Sequence, residues 1–220
     1  MALIEIDPAL VHQIRLAIFQ CQGLTAAGTS PELEDALATI TEGLRSTYDQ
    51  PADAAPLFDA ARRLYRAIGL DPTKRRPSSE ALIRRVIRGK GLYRINRVVD
   101  TCNLCSMDFA LPIGLYDANE VEWPAVLRLG MPGEGYKGLG KDHVNVEGRW
   151  TLADREGPFG NPSSDSFRTR IRETTTAAVF VIFAPADYDS ERLQGHLQTA
   201  GERMCAFAGG SVIGQEFLSS

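Results

Sequence analysis

Apolar side chains recur at helical spacing in several parts of the chain. After Ser30-Pro31, for example, leucine and isoleucine return every three or four positions, which is the pattern of a helix with one buried face. Asp7-Pro8 has the residue types that begin a helix. The predicted helices span 7–12, 30–46, 53–68, 78–89, 95–109 and 190–207, with Ser78 or Ser79 capping the fourth.

Strands are predicted mainly in the second half of the chain. Residues 14–22 fit a helix or a strand, and a strand is favoured because turn-forming residues follow closely. Helices followed by strands and one further helix indicate an α+β fold rather than alternating α/β. We expect a single domain over 1–220, with 1–70 as at most a semi-separate layer. The later strands are predicted at 112–116, 125–130, 143–147, 150–154 and 177–185.

The composition is that of an ordinary globular protein. Of the 220 residues, 44% are hydrophobic and 24% are charged, which excludes disordered and fibrous chains. No apolar run approaches the ~18 residues that span a bilayer. Glu5 and Asp7 stand where a secretion signal would carry basic residues. We therefore expect a cytoplasmic protein without a membrane partner, whose four cysteines are thiols.

Charge is distributed unevenly along the chain. The net charge of −4 argues mildly against non-specific nucleic-acid binding. However, residues 1–60 carry a net charge of −7 and residues 74–97 a net charge of +8. The basic segment is either a phosphate-binding surface or the partner of the acidic N-terminal third. Its arginines in the helix at 78–89 lie opposite the apolar face, so we expect them to be exposed. The RNA-binding candidates are Lys74, Arg75, Arg76, Arg84, Arg85, Arg88 and Lys90.

Two short motifs are better explained by structure than by chemistry. Gly133–Gly138 has the glycine spacing of a dinucleotide-binding loop, but strand-like residues follow where that motif needs a helix. Cys102 and Cys105 form a CxxC pair inside an apolar helix, and the three histidines of the chain are scattered. We expect two buried, unbridged thiols, no metal site and no cofactor.

The segment 157–169 has the composition of a binding loop. It combines rigid glycine and proline residues with hydroxyls, an amide, an acid and an arginine, shortly before the buried strand at 177–185. Self-capped turns with a solvated arginine would have a similar composition. The catalytic candidates are Ser164, Asp165, Ser166, Arg168 and Thr169, and Asn161 is a substrate-binding candidate.

Four segments together carry a family resemblance. They are DPTKRRPSSEALIRRVIRGKGL (71–92), INRVVDTCNL with LPIGLYD (95–117), LRLGMPGEGYKGLG (127–140) and ADREGPFGNPSSDSFRTRI (153–171). As a block they resemble the B3/B4 domain of the phenylalanyl-tRNA synthetase beta subunit, here free-standing. The resemblance is strong over 71–185 and weak over 1–70. It implies a layered α+β fold with a sandwich-like sheet arrangement. It also implies editing, since the synthetase domain hydrolyses phenylalanine tRNA wrongly charged with tyrosine.

The resemblance carries over to individual residues only in part. Gly114 stands where the synthetase domain has a histidine, and Ile182 stands where it has a glutamate that recognises the tyrosine hydroxyl. It therefore implies a pocket more open at 114, more apolar at 182, and suited to a side chain without that hydroxyl. The matching positions are Asn96, Asp100, Asn103, Tyr116 (for Phe), Asp117, Arg128, Glu134 and Asp154. The substrate-binding candidates are Asn103, Gly114, Tyr116, Asn161 and Ile182.

The function that the resemblance implies is deacylation of a mischarged tRNA in trans, by attack of water on the aminoacyl ester. The free ribose hydroxyl would orient the water, and Asp165 could act as a base only if burial raised its pKa. Two other classes stay open: an RNA- or tRNA-binding module without hydrolysis, and a hydrolase or gatekeeper for a small aminoacyl-type or amide metabolite. The expected partner is tRNA, aminoacyl-tRNA or a small amino-acid-like ligand, and the oligomeric state is left open.

Overall fold

The computed structural model describes residues 2–218, and within them the chain forms five α-helices and eleven strands. The helices are α1 (Pro31–Thr47), α2 (Asp59–Ala67), α3 (Ser78–Ile87), α4 (Arg97–Phe109) and α5 (Ser190–Ala208). The strands are β1 (Ile4–Ile6), β2 (Ile14–Gln22), β3 (Ile113–Asp117), β4 (Ala125–Leu129), β5 (Gly135–Gly138), β6 (Lys141–Asn145), β7 (Trp150–Asp154), β8 (Gly157–Asn161), β9 (Ser164–Asp165), β10 (Ala177–Pro185) and β11 (Ser211–Leu218). The fold class is α+β.

Two sheets hold most of the strands. One sheet has five strands in the order β1-β4-β7-β8-β9, and the other has four in the order β11-β2-β10-β3. All nine residues of β10 pair antiparallel with β2. The β5–β6 hairpin meets the chain just after β9 through a bridge between Gly138 and Ser166. The N-terminal part of the chain therefore contributes an interior strand, β2, to one sheet and an edge strand, β1, to the other.

The core is divided by the four-stranded sheet into two faces. Phe180 and Ile182 of β10 belong to the cluster that faces α4 and α5, whereas Val181 and Phe183 belong to the cluster between the two sheets. This division follows from the alternation of side chains along a strand. A third cluster lies among α1, α3 and α4. The layers are thus sheet on sheet, which is the sandwich-like arrangement that the resemblance implies. Helices α4 and α5 cover the outer face of the four-stranded sheet, whereas Leu64 of α2 belongs to the cluster between the sheets.

The apolar pattern predicted the buried elements correctly. The helices predicted at 30–46, 95–109 and 190–207 correspond to α1, α4 and α5, and the strands predicted at 14–22 and 177–185 are β2 and β10. These elements bury a regular stripe or a continuous apolar run, so their periodicity is clear. None of the helices within residues 2–218 has the length and apolar character needed to cross a membrane.

Several predicted elements are corrected by the structure. Residues 7–12 form no α-helix, and only a single 3₁₀ turn is present, at Val11–Gln13. The helix predicted from residue 53 starts as a 3₁₀ turn, and α2 begins at Asp59. Neither serine caps α3, which begins after Pro77 without a side-chain cap. The segment 157–169 contains β8 and β9 rather than only a loop, because pairing with β7 overrides the low strand propensity of its glycine and proline.

Tyr116 passes between two glycines in the space between the sheets. Its ring is completely buried and lies edge-on to Phe159, with the ring centroids 5.0 Å apart. A Cβ atom added at Gly114 or at Gly160 would overlap the Tyr116 side chain. The missing side chains at both glycines therefore provide the room that the tyrosine ring occupies.

We expect Gly160→Ala to lower the free energy of unfolding by about 1–3 kcal/mol, the range for overfilling a packed core. Gly195→Ala is the matched control, because Gly195 lies inside α5 with open space around it. Alanine should stabilise that helix by up to about 1 kcal/mol. Chemical denaturation of both variants measures the difference, and equal stabilities would contradict the packing described for Tyr116.

Candidate functional site

A cavity of about 520 Å³, the apolar cavity, opens beside α4, β3 and β9. Most of its walls are apolar, and a few polar groups reach into it. A volume of this size with this mixture of groups is typical of small-ligand sites. The apolar lining residues are Leu82, Ile95, Val99, Ile113, Leu115, Leu139 and Ile171, and the others are Ser78, Cys102, Asn103, Ser106, Asp165 and Arg170.

Helical and strand periodicity bring side chains to the apolar cavity from two elements. Val99, Asn103 and Ser106 are spaced four and three residues apart on α4, so they share one face of the helix. Ile113 and Leu115 share one face of β3. The Asn103 amide makes no side-chain hydrogen bond within residues 2–218, so it is available to a ligand.

Asp165 supplies the carboxyl group of the apolar cavity. Its Oδ1 atom is covered by protein and has no hydrogen-bond partner in residues 2–218. Burial raises the pKa of Asp165 to about 7, although the nearby Tyr116 hydroxyl and the backbone of Leu115 oppose part of this rise. At neutral pH this carboxyl is therefore present in both forms and can accept or release a proton.

A second cavity of about 440 Å³, the basic cavity, is lined by Ser164 on the neighbouring position of β9. Because Ser164 and Asp165 are adjacent in a strand, they point to opposite faces, and β9 lies between the two cavities. Ser164 Oγ accepts a hydrogen bond from Lys141 Nζ at 3.0 Å. No acidic residue of the described chain lines this cavity. Its lysine and arginine residues are Lys74, Arg75, Arg76, Lys141 and Arg149.

Asn161 shapes the turn between β8 and β9. Its Oδ1 accepts hydrogen bonds from the backbone N–H groups of Ser163 and Ser164, at 2.8 and 3.0 Å, and its Nδ2 donates to the Tyr136 hydroxyl at 3.0 Å. The residue lines the basic cavity rather than the apolar one. Since the protein itself engages this amide, its evident role is to hold the turn.

Three of the five catalytic candidates make hydrogen bonds that connect parts of the fold. Arg168 donates to both carboxylate oxygens of Asp154, at 2.9 and 3.0 Å, and the Asp154 side chain is completely buried. The hydroxyls of Ser166 and Thr169 are 2.9 Å apart and both residues are buried. None of the three lines the apolar cavity. Their placement favours a structural role for these three residues, because their polar groups satisfy one another and a buried carboxylate.

Three substrate-binding candidates also lie outside the lining of the apolar cavity. Tyr116 alternates with Leu115 on β3 and so belongs to the cluster between the sheets. The room at Gly114 is filled by Tyr116, so the cavity is not more open there. Ile182 is completely buried in the cluster that faces the helices. Of the substrate-binding candidates, Asn103 is the residue that lines the apolar cavity.

A family model described as the B3/4 domain matches residues 60–201. The chain belongs to the B3/4 domain family. No curated protein matches it. Among solved structures, it is similar to an N-terminal fragment of the phenylalanyl-tRNA synthetase beta-subunit from Pyrococcus horikoshii, with 15% sequence identity and a TM-score of 0.47. That alignment covers 99% of this chain and 54% of the other, so the chain spans about half the length of that structure.

The predicted RNA-binding helix of this B3/4 domain is only partly exposed. Arg84 donates to the buried Glu80 carboxylate, one turn earlier in α3, at 2.6 Å. Arg85 donates to the Gly91 carbonyl. The expectation that Arg84, Arg85 and Arg88 are all exposed is therefore wrong for Arg84 and Arg85, which are half-buried, and confirmed for Arg88, which follows α3. The helical pattern shows which face is polar but not that a carboxylate occupies it.

Sequence reasoning missed three charged residues that line the cavities of this B3/4 domain. Lys141 and Arg149 line the basic cavity, and Arg170 lines the apolar one. No local signal marks the first two, because only tertiary packing brings residues 141 and 149 beside 74–76. Arg170 lies one residue beyond the 157–169 segment, and its stacking on Phe167, with the guanidinium 3.6 Å from the ring centroid, has no sequence signature.

The CxxC pair of the B3/4 domain is a pair of core thiols. Cys102 and Cys105 are buried and free, as predicted. Burial raises the pKa of Cys105 to about 12 and holds that of Cys102 well above its usual range. Both thiols are therefore protonated and unreactive at neutral pH. Over residues 2–218, no cluster of three or more histidine, cysteine or acidic side chains could hold a metal ion.

We expect Arg168→Ala to lower the free energy of unfolding by about 3 kcal/mol, because it leaves the Asp154 carboxylate buried without its cation. Arg172→Ala is the control. It removes an ion pair with Glu120 in which the two side chains are 37% and 35% exposed, and it should cost less than about 1 kcal/mol. Denaturant titration of both variants tests this, and equal stabilities would contradict a structural role for Arg168.

We expect Asp165→Asn to alter how stability depends on pH. The ordinary pKa of 3.8 applies in the unfolded chain and a pKa of about 7 in the folded one. The ionised carboxyl therefore opposes folding, with a cost that is absent below pH ~4 and complete above pH ~7. The variant should be more stable than the wild type above pH ~7, by at most about 4 kcal/mol, and the difference should vanish towards pH ~4. Asp142→Asn, at an exposed position of β6, should leave the pH profile unchanged. Parallel profiles for wild type and Asp165→Asn would show that the pKa is not raised.

Proposed function

We propose that this B3/4 domain hydrolyses the ester of a mischarged aminoacyl-tRNA in trans, with the amino-acid moiety in the apolar cavity. The observation that carries the proposal is the Asp165 carboxyl, which lines the apolar cavity without an ion-pair partner in residues 2–218 and has a pKa of about 7. The four segments that resemble the synthetase editing domain support an ester of tRNA as the substrate. Because the proposed substrate is an aminoacyl-tRNA, the proposed location is the cytoplasm.

The walls of the cavity favour an aliphatic or aromatic amino acid. Seven apolar side chains from several elements line it, and they can cover a hydrocarbon side chain of the substrate. Asp165 and Arg170 add one negative and one positive group to the same cavity. An aminoacyl ester carries an ammonium group and a polarised carbonyl beside its side chain, so the mixture of groups matches the mixture in this substrate.

The proposed reaction uses Asp165 as a general base. The ionised carboxyl takes a proton from water while the water oxygen attacks the ester carbonyl carbon. The bond from that carbon to the ribose oxygen then breaks, and the protonated carboxyl returns the proton to the leaving ribose hydroxyl. The amide of Asn103 and the guanidinium of Arg170 are the donors proposed for the developing oxyanion. Ser164, on the other face of β9, lies outside this set.

The test is release of amino acid from a panel of mischarged tRNAs. We expect kcat/KM to rise with pH and level off above pH ~7, because only the ionised Asp165 accepts a proton. Asp165→Asn should lower kcat/KM by about 100-fold or more. Asp142→Asn should retain full activity. Full activity in Asp165→Asn, or an unchanged pH profile in that variant, would rule out the base role.

The same panel separates the two other function classes. A domain that binds tRNA and releases no amino acid from any member of the panel would be a binding module. A domain that cleaves small aminoacyl esters or amides as fast as aminoacyl-tRNA would be a metabolite hydrolase.

A further inference from the structure

The basic cavity holds positive charge that the protein does not neutralise. Lys74, Arg75, Lys141 and Arg149 form no ion pair with any carboxylate in residues 2–218. The fifth cation, Arg76, is 3.5 Å from Glu80, which already has two closer arginine partners. Four to five cations therefore face one cavity without a matching acid.

Arginines elsewhere in this protein form paired hydrogen bonds with carboxylates. Arg128 donates to both oxygens of Glu134, and Arg168 to both oxygens of Asp154. By contrast, Arg149 donates only to the backbone carbonyl of Asn145, at 3.1 Å. Partial burial and the neighbouring Arg75 both lower the pKa of Arg149. Positive charges gathered this way cost folding free energy unless an anion joins them.

The donors left for a phosphate oxygen are the N–H groups of the cations. Ser163 and Ser164 also line the cavity, but their hydroxyls donate to the Tyr65 hydroxyl and to the Ser163 carbonyl. Guanidinium groups bind phosphate through paired N–H donors. The volume of about 440 Å³ leaves room for more than the phosphate itself.

We infer that the basic cavity is a phosphate-binding site for a nucleotide, either free or within an RNA strand. The inference goes beyond the proposed hydrolysis, because it concerns the opposite face of β9 and requires no reaction. It adds Lys141 and Arg149 to the residues that contact nucleic acid, and it moves the contact from the exposed face of α3 to a cavity.

The experiment measures binding of AMP, adenosine and a short single-stranded oligoribonucleotide to the intact chain. Trp150 lines the cavity, so intrinsic fluorescence can report binding. The test variant is Lys141→Gln/Arg149→Gln. The control variant is Arg155→Gln/Arg192→Gln, which removes the same charge from exposed positions that do not line the cavity. Thermal denaturation shows whether each variant is folded.

We expect the test variant to bind phosphate-bearing ligands at least tenfold more weakly, with the control variant close to wild type. Adenosine should bind no better to wild type than to the test variant. Binding of AMP indicates a free nucleotide as a sufficient ligand, and binding of the oligonucleotide alone indicates a strand; both support a phosphate site. Equal weakening in the test and control variants would overturn it, as would no weakening in the test variant.

These measurements also distinguish this inference from the proposed hydrolysis. Asp165→Asn should keep its affinity for AMP or the oligonucleotide while losing deacylation. If wild type binds these ligands through Lys141 and Arg149 but hydrolyses no mischarged tRNA, the phosphate site stands and the proposed function fails.

Discussion

Successive side chains of a β-strand point to opposite faces, and this constraint divides both the core and the candidate sites. In β10 it sends alternate residues to the helix-facing core and to the space between the sheets. In β9 it sends Ser164 to the basic cavity and Asp165 to the apolar one. Because β9 has only two residues, its register depends on β8, on the turn held by Asn161 and on the bridge from Ser166 to Gly138. A shift of one residue would exchange the carboxyl and the hydroxyl between the cavities. The residues that hold this turn therefore decide which side chain faces each cavity.

The partners of the buried carboxylates distinguish the structural groups from the candidate functional group. Glu80, Asp100 and Asp154 are buried, and each has at least one arginine within 3 Å. Burial of a carboxylate is costly unless a cation or several donors compensate it, and this chain supplies the cation in all three places. Asp165 has no such cation and keeps an unpartnered oxygen. Asp117 is also buried, and it accepts hydrogen bonds from the Asn119 backbone N–H group and the Thr175 hydroxyl instead. Asp165, which keeps one oxygen without a partner in the described chain beside a cavity, retains a local instability that a substrate or a proton can relieve.

The fold was largely predictable from the sequence, and the site only in outline. Long elements such as α1, α5 and β10 have clear apolar periodicity, whereas β8 and β9 consist of residues that are usual in loops and depend on pairing with β7. The 157–169 segment was recognised as polar and unusual, but its composition could not tell Asp165 from Arg168. That distinction depends on the buried partner Asp154, which tertiary packing brings within hydrogen-bond distance. Likewise, Lys141 and Arg149 reach 74–76 only through the folded chain. Sequence patterns predict which helices and strands are buried. They do not predict the role of a single polar side chain, because that role depends on contacts between segments that are distant in the sequence.

Packing accounts for the glycine at 114, where the resemblance implies a departure from the synthetase domain. Taken alone, a glycine at this position implies an open pocket. In the structure a Cβ atom at 114 would overlap ring carbons of Tyr116 as well as its hydroxyl, so an aromatic ring in this position requires glycine at 114. The space at 114 is therefore filled by the ring of Tyr116 and is not part of the apolar cavity. The Tyr116 hydroxyl lies near Asp165, where it opposes the rise that burial causes in the pKa of that carboxyl.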